Sequence, residues 1–275
     1  MSHLLRAHAP ITDAGWKLID EEARERLLPG LAARRLVDFA GPLGWEYSAT
    51  NLGRVSDTDV SPAVGIEARR REVLPLLELR ARFSVSREEL RAGDRGAEDV
   101  DFADLDAAAQ RLVEAENTAI FHEWPEAGVE GITSASPHDA IERDDDFAGY
   151  TAHVARAVEL LLRNGIAGPY GLALGREEYT HVVETAEHGG YPLLEHLRKI
   201  LQGGPIVWAP GVEGGIVLSM RGGDFAFESG QDISVGYEAH DLDTVTLYLE
   251  ESYSFRVLTP EAAVAITPSA QSSRG

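Results

Sequence analysis

The sequence predicts an α+β protein rather than one that alternates strands and helices. Amphipathic helical patterns dominate the first 200 residues, whereas short strand patterns dominate from residue 205 onward. Neither a series of strand–helix–strand units nor an internal repeat is recognisable. The 275 residues suffice for one large domain or two modest ones with a well-filled core.

Helices are predicted where apolar residues recur at helical spacing. The first covers 12–28, where Thr12 can cap the start and Pro29 with Gly30 ends the helix. Its apolar face comprises Trp16, Ile19, Ala23 and Leu27. Further helices are expected at about 101–118, 147–164, 176–188 and 192–204.

Strands are predicted at 36–39, at 74–86 and in the glycine-bounded segment GPYGLALG. From residue 205 the strand patterns follow one another. DTVTLYLEE and SYSFRVL are expected as two successive strands, since their apolar residues alternate with polar ones. The last nine residues, 267–275, are polar and are expected to be disordered.

Residues 46–75 differ from the rest in character. They have weak strand alternation, several small polar residues and little that could build a core. An excursion of this length is unusual inside a compact protein and is usually functional. Two interpretations remain open from the residues alone: an arm that leaves the body and returns, or an irregular surface loop.

Composition excludes several classes of function. The chain has no cysteine, which removes disulfides, thiolate metal sites and cysteine nucleophiles. The net charge of −21 opposes nucleic-acid binding, because phosphates require basic surface. No apolar run reaches the ~18 residues of a membrane-spanning helix, and the first residues do not resemble a secretory signal. A cytoplasmic protein without membrane or nucleic-acid partners is therefore expected.

Candidate catalytic motifs fail on spacing. RGGDF, from Arg221, lacks the acidic residue that would follow Asp224 in a dinucleotide cyclase, so a hairpin turn at Gly222-Gly223 is expected instead. No glycine pattern fits a phosphate loop, and the histidines lack metal-ligand spacing. The pairs Glu177-Glu178 and Glu250-Glu251 are interpreted as solvated surface carboxylates. We predict no catalytic residue and no metal site.

A set of quoted segments resembles one known family along nearly the whole chain, to about residue 266. They include ARRLVDFAGPLGWEY, LPLLELRARF, AENTAIFHEW, GIAGPYGLALG, HGGYPLLEHL, RGGDFAFESGQDISVGY and DTVTLYLEESYSFRVL. Together these segments resemble the encapsulins, also called the linocin or bacteriocin family.

The resemblance implies the fold of tailed-bacteriophage major capsid proteins, with a peripheral domain, an axial domain and an extended loop. It also implies self-assembly into an icosahedral shell, of the smallest kind (T=1, about 60 copies). Carried onto this sequence, the units are 1–45 (N-terminal helix and start of the peripheral domain), 46–75 (extended loop), 76–135 (peripheral domain with a spine helix), 136–221 (axial domain), 222–266 (peripheral sheet) and 267–275 (disordered tail).

In this family the shell encloses a cargo enzyme, such as a dye-decolourising peroxidase or a ferritin-like protein, which it captures by a C-terminal targeting peptide. The resemblance implies a docking groove between the N-terminal helix and the peripheral sheet. The residues carried over to this groove are Leu27, Arg34, Asp38, Gln231, Asp232, Ile233 and Val235. Apolar members would bury the peptide's apolar residues, and charged members would fix its polar atoms.

Two further implications concern the pore and a cofactor. The family's five-fold pore loop corresponds to Glu187, His188, Gly189, Gly190 and Tyr191, where a change in the charge of His188 would alter what passes. Some members bind flavin at an aromatic residue, for which this chain has Glu88. We therefore expect no cofactor.

Two other functions stay open from the sequence. A viral capsid protein shares the fold but must hold DNA, and the family's old label names a bacteriocin or protease. The first conflicts with the acidic charge. The second lacks any recognisable nucleophile or metal set.

Overall fold

The computed structural model describes residues 3–58, 63–144, 147, 149–185 and 192–268. These residues form helices of four to nineteen residues. The helices are α1 (Asp13–Leu27), α2 (Ala33–Leu36), α3 (Arg87–Asp94), α4 (Ala103–Phe121), α5 (Ile132–Ala135), α6 (Tyr150–Arg163), α7 (Arg176–Glu184) and α8 (Leu193–Ile200).

The strands are distributed over the whole chain. They are β1 (Asp38–Ala40), β2 (Ala49–Asp57), β3 (Arg69–Pro75), β4 (Leu77–Ser86), β5 (Glu123–Trp124), β6 (Val129–Glu130), β7 (Ile141–Arg143), β8 (Tyr170–Leu174), β9 (Ile206–Trp208), β10 (Gly215–Ser219), β11 (Phe225–Ser229), β12 (Ser234–His240), β13 (Thr244–Val257) and β14 (Ala263–Pro268).

Strand β13 is the centre of the first sheet. It pairs with β4 along one edge and with β12 and β11 along the other, and β1 adds to β11 in parallel. Helix α4 packs on β4 and β13, and α1 packs on α4. This arrangement buries the apolar face of α1, because Trp16, Ile19, Ala23 and Leu27 all point into the core as predicted.

Both faces of β13 are buried. Leu247 and Leu249 lie on the helix-covered face with 0% exposure. On the opposite face Glu250, Ser252 and Ser254 are also buried, although alternation alone would leave such residues in water. The chain covers this second face itself: Thr50 Oγ1 lies 2.6 Å from Ser254 Oγ.

A second sheet has the strand order β7-β14-β10-β8-β9. Strand β8 is buried along its entire length, which agrees with the prediction for GPYGLALG. Helix α6 packs on β7, β10, β14 and α8. Strand β14 returns the chain to this second sheet after β13, so residues 263–266, which the sequence assigned to the peripheral sheet, pair with β10 and β7.

The segment 46–75 is an arm built from the hairpin β2–β3. Apart from its base, this hairpin forms a two-stranded sheet of its own. Nine residues in β2 give it a reach of about 30 Å. Val55 and Val73 are 54% and 50% exposed, so the described part of the arm buries little apolar surface.

Several element boundaries differ from the sequence-based predictions. Leu36 ends helix α2 instead of starting a strand, and its buried side chain lies against Gly171 of the second sheet. The strand predicted at 74–86 divides at Leu76 between the arm and β4. The two strands predicted after residue 243 are one strand, β13, since no turn residue interrupts them. Thr267 and Pro268 belong to β14, while the rest of the predicted tail lies outside the described residues.

The RGGDF segment is a turn, as predicted, but not a hairpin. Gly222 and Gly223 have φ angles of 85° and 82°, a region that favours glycine. The turn connects β10 of the second sheet to β11 of the first. Arg221 closes it by donating to Asp224 at 2.8 Å.

Leu247→Ala tests the dependence of the fold on β13. We expect a loss of about 2–5 kcal/mol of unfolding free energy per subunit, because a fully buried leucine leaves a cavity. The apparent midpoint of thermal unfolding should fall by several degrees. The matched control is Leu242→Ala, at a leucine that is 86% exposed, and it should leave the midpoint unchanged. Equal midpoints for both variants would contradict the central position of β13.

Candidate functional site

A hollow of about 680 Å³ lies between α1 and the edge strand β12. We call it the groove. Its apolar lining residues, which we call the floor, are Leu4, Ala23, Leu27, Leu28, Leu31, Phe39, Ile233, Val235 and Leu249, and its polar and charged lining residues are Arg6, Asp20, Arg24, Arg34, Arg35, Asp232 and Ser234. Leu28 and Phe39 remain 54% and 37% exposed, so a ligand could bury them further.

Five of the seven residues predicted for a docking groove line this hollow. They come from the end of α1, from α2, from the loop before β12 and from β12 itself: Leu27, Arg34, Asp232, Ile233 and Val235. The residues from α1 and α2 are about 200 positions away in the sequence from those beside β12. They meet because β12 pairs with β13 and α1 packs on β12.

The other two predicted residues have structural contacts outside the lining of the groove. Asp38 Oδ2 accepts a hydrogen bond from the Gly223 amide at 2.5 Å, so Asp38 holds the turn between the two sheets. Gln231 donates from Nε2 to Ser234 Oγ at 2.6 Å, and its own amide donates to Ser252 Oγ at 2.9 Å. Gln231 therefore shapes the loop that carries Asp232 rather than the groove surface.

Arg34 lies at the centre of a buried network of carboxylates. Its guanidinium is 2.7 Å from Glu116 of α4 and 2.5 Å from Glu251 of β13, and both acids have at most 1% exposure. A third contact, 2.6 Å long, reaches Asp232, whose side chain is 48% exposed. The guanidinium also lies 5.4 Å from the ring centre of Phe39.

Burial and charge act on this network in opposite directions. Burial disfavours the charge on Arg34, but the negative charges of Glu116 and Glu251 outweigh burial and raise the pKa of the guanidinium. Burial raises the pKa of Glu251 well above its ordinary value, and the nearby charge of Glu116 adds to that rise. The arrangement is therefore a fixed cation between two buried carboxyl groups, and burial makes the Glu251 carboxyl hold its proton more tightly than a free glutamate does.

The interpretation of the paired glutamates as solvated carboxylates is wrong for three of the four. Glu178, Glu250 and Glu251 have exposures of 2%, 0% and 1%. Glu178 accepts from Arg143 Nε at 2.9 Å, and Glu250 accepts from Arg80 Nε at 2.9 Å. Buried carboxylates of this kind persist because a guanidinium pairs with each.

Glu116 and Glu251 were missed by sequence reasoning although the pattern contains a signal for both. Glu116 follows Leu112 by four residues and so falls on the apolar face of α4. Glu251 has the same parity as Leu247 and Leu249 and so points to the core face of β13. A charged residue in phase with core positions indicates a buried ion pair.

The predicted pore loop, Glu187, His188, Gly189, Gly190 and Tyr191, lies outside the described residues, so the hypothesis about His188 stays a prediction. Glu88 lies in the first turn of α3 and pairs with Arg95 at 2.8 Å. The absence of flavin stays a prediction as well.

Two searches of the described residues bear on other kinds of site. Within the described ranges, no group of three or more histidine, aspartate or glutamate side chains is placed to hold a metal ion. Among the helices that the structure describes, none has the length and apolar character needed to cross a membrane.

Comparison with known proteins identifies the family. A family model, Linocin_M18, described as "Encapsulating protein for peroxidase", matches residues 1–254. The type 1 encapsulin shell protein of Rhodospirillum rubrum is 44% identical over 271 residues, which cover 97% of this chain and 96% of that protein.

Two solved structures share the fold. The virus-like particle of Pyrococcus furiosus superposes with a TM-score of 0.55 at 20% identity, covering 89% of this chain and 97% of that chain. The capsid of Myoviridae phage XM1 superposes with a TM-score of 0.51 at 8% identity, covering 86% of this chain and 91% of that chain. The predicted α+β fold of tailed-phage major capsid proteins is thereby confirmed. The family match over residues 1–254 and the 44% identity along nearly the whole chain show that this protein belongs to the encapsulin shell proteins, and that it is a structural protein rather than an enzyme.

Proposed function

We propose that this chain assembles with copies of itself into a closed icosahedral compartment, of the T=1 kind with about 60 subunits. The compartment is cytoplasmic and encloses a dedicated enzyme, which it captures by a targeting segment at the enzyme's C-terminus. The observation that carries the capture step is the groove, because its apolar floor and its fixed cation suit an extended peptide.

The apolar floor supplies the affinity in this proposal. Leu28, Phe39 and Ile233 lie at the groove surface and are still partly in water. An apolar side chain of the peptide that is buried there gains about 1.5–3 kcal/mol, which is a tenfold to hundredfold gain in binding.

Arg34 supplies direction and polar recognition. Glu116 and Glu251 are fully buried, so a peptide cannot reach them, whereas Asp232 is half exposed at the rim. Asp232 is therefore the one of these three partners that a carbonyl or carboxylate of the peptide can replace on Arg34. Such an exchange keeps the Arg34 guanidinium hydrogen-bonded both without and with the peptide. This limits the free-energy cost of removing the guanidinium from water.

The arm supports the assembly step. Val55 and Val73 lie on the hairpin at half exposure or more, and the described part of the arm has little contact with the body beyond its base at Thr50. Exposed apolar residues on an extended hairpin are typical of a surface that a second chain covers. We propose that the arm corresponds to the extended loop of the family and packs on a neighbouring subunit.

A peroxidase is favoured as the enclosed enzyme over a ferritin-like protein. The description of the matching family names peroxidase as the enclosed protein. A viral capsid is disfavoured, because the likeness to phage capsids concerns the fold alone and the net charge of −21 repels nucleic acid.

Leu28→Asp tests the groove. The substitution places a charge on the apolar floor without removing a core side chain, so we expect intact shells with about tenfold less enclosed enzyme. Enzyme per shell is measured by quantitative mass spectrometry of purified shells, which also identifies the enzyme. Leu242→Asp, outside the groove, is the matched control and should load normally. Normal loading of Leu28→Asp shells would exclude the groove as the capture site.

The double substitution Val55→Asp, Val73→Asp tests the arm. Wild-type protein should appear in electron micrographs as uniform closed shells without nucleic acid. The variant should remain small and folded, because two charges replace apolar side chains that a neighbour covers. Size-exclusion chromatography with circular dichroism separates failed assembly from failed folding. Complete shells of the variant would contradict the role of the arm.

Glu251→Gln tests the buried network through pH. The folded-state pKa of Glu251 lies above its ordinary value of 4.5, so the folded chain holds a proton that the unfolded chain releases. The stability from this group is present below the ordinary pKa and is lost as pH rises toward the folded-state pKa. Glutamine has no such proton, so its stability does not fall over this range. The unfolding free energy of Glu251→Gln minus that of wild type should therefore rise between about pH 5 and pH 8, by at most about 1.4 kcal/mol per pH unit.

Glu228→Gln is the matched control for this titration. Burial would raise the pKa of Glu228, but hydrogen bonds from Thr50 and Tyr47 and the charge of Arg256 outweigh it and lower the pKa below 4.5. Its stability contribution is lost only on acidification below that value. Relative to wild type, the denaturation midpoint of Glu228→Gln should therefore stay constant over the same pH range. A constant difference for Glu251→Gln as well would refute the raised pKa of Glu251.

A further inference from the structure

A cleft of about 650 Å³ lies between α4 and α7, and its described lining residues are all different from those of the groove. One wall is α4, which carries Gln110 and Glu114, and the other is α7, which carries Arg176 and Tyr179. Because α4 packs on the first sheet and α7 on the second, the cleft joins the two halves of the molecule. Small-molecule sites are common at such junctions, and their volumes are usually about 300–1,000 Å³.

The base of the cleft is the loop after β9, which is held against α4. Asn117 donates from Nδ2 to the Pro210 carbonyl at 3.0 Å, and Thr118 donates from Oγ1 to the Gly211 carbonyl at 3.1 Å. Gly211 has a φ angle of 83°, and a Cβ there would lie 2.7 Å from the carbonyl oxygen of Glu114. This close approach requires glycine, so the position of the loop, and with it the shape of the cleft, is determined by the fold.

Two aromatic residues line the cleft. Trp208 ends β9, at the edge of the second sheet, and is 38% exposed. Tyr179 lies on α7 and is half-buried. A tryptophan that remains partly in water offers a flat apolar surface on which a second ring can stack.

The two arginines of the cleft differ in their partners. Arg26 is paired with Glu22 at 2.6 Å and with Asp106 at 3.0 Å. Arg176 is exposed and has no ion-pair partner among the residues that the structure describes. Its guanidinium is therefore available to an anion such as a phosphate, to which it can donate two parallel hydrogen bonds. Repulsion from distant carboxylates of this acidic chain is screened beyond about 8 Å at physiological salt.

The wall opposite Arg176 presents hydrogen-bonding groups of another kind. Glu114 and Gln110 are both exposed and lie one helical turn apart on α4. An ionised carboxylate only accepts hydrogen bonds, whereas a carboxamide both accepts and donates. This pair suits the edge of a heteroaromatic ring that carries N–H groups, and Glu114 repels a phosphate toward the α7 side of the cleft.

We propose that the cleft binds a purine mononucleotide. The base stacks on Trp208 and donates from its N–H groups to Glu114, while the phosphate accepts from Arg176. Guanosine monophosphate is the probe, because its base carries N–H donors along one edge. The site is separate from the groove, so its test does not depend on the proposed capture of an enzyme.

Equilibrium dialysis of purified shells against three probes tests the proposal: guanosine monophosphate, guanosine and inorganic phosphate. We expect guanosine monophosphate to bind most tightly. Guanosine should bind about tenfold more weakly, because it lacks the group that Arg176 contacts. Inorganic phosphate alone should show no measurable binding, since it cannot stack on Trp208.

Two substitutions separate the roles of the ring and the cation. Trp208→Ala should weaken guanosine monophosphate and guanosine alike, by about tenfold, since both stack. Arg176→Ala should weaken guanosine monophosphate by about tenfold and leave guanosine unchanged. The matched controls, Trp45→Ala and Arg156→Ala, change an exposed tryptophan and an exposed arginine outside the cleft and should bind as wild type.

Trp208→Phe guards against a merely structural effect. It keeps a ring at this position, so it should bind both ligands within about threefold of wild type. Circular dichroism and electron microscopy establish that each variant folds and assembles. Loss of binding in Trp208→Phe equal to that in Trp208→Ala would overturn the stacking role of Trp208.

Several results would overturn the site and leave the proposed shell function intact. One is the absence of guanosine monophosphate binding by wild type at about 1 mM. Another is binding that neither Trp208→Ala nor Arg176→Ala weakens. A neighbouring subunit is the competing occupant of the cleft. Benzoylphenylalanine at Thr180, an exposed lining position, would then crosslink to a second subunit in shells that bind no nucleotide.

Discussion

The burial of β13 on both faces is the constraint on which the rest of the structure depends. This fourteen-residue strand pairs with β4, β11 and β12, and α4 covers its apolar face. A strand buried on both sides cannot leave its polar side chains in water, so Glu250, Glu251 and Ser254 need partners. Arg80, Arg34 and Thr50 supply them from three different parts of the chain.

Arg34 connects this constraint to the groove. The same guanidinium that neutralises Glu116 and Glu251 inside the protein contacts Asp232 at the rim of the groove. Removing one member of such a network leaves the others buried and unpaired, which is costly. The groove is therefore held by the interior of the first sheet rather than by its own loop, and a rigid site loses less entropy when a peptide binds.

The arm differs from the rest of the chain in the exposure of its apolar residues. The body buries its apolar residues in the two sheets and their helices, whereas the described part of the arm keeps Val55 and Val73 exposed. A hairpin of this length has little stability in isolation. In the proposed shell a neighbouring copy covers these apolar residues, and the chain belongs to a family of shell proteins.

The sequence by itself determined the α+β class, the apolar face of α1, the buried strand β8 and the family. These features depend on local periodicity and on motifs that lie together in the chain. It also pointed to five of the residues that line the groove, through the resemblance. It misplaced the boundaries at Leu36 and Leu76 and divided β13 in two, because pairing partners far along the chain set strand limits.

Only the tertiary structure decided which polar residues are buried and what they contact. Glu116 is 82 residues from Arg34, and Glu251 is 217 residues from it, so no local pattern could join them. The same holds for Asp38, which contacts Gly223 instead of the groove, and for the bridge from Arg6 to Asp20. The physical reason is that periodicity reports which face of an element is apolar, whereas the partner across that face depends on how the sheets and helices pack.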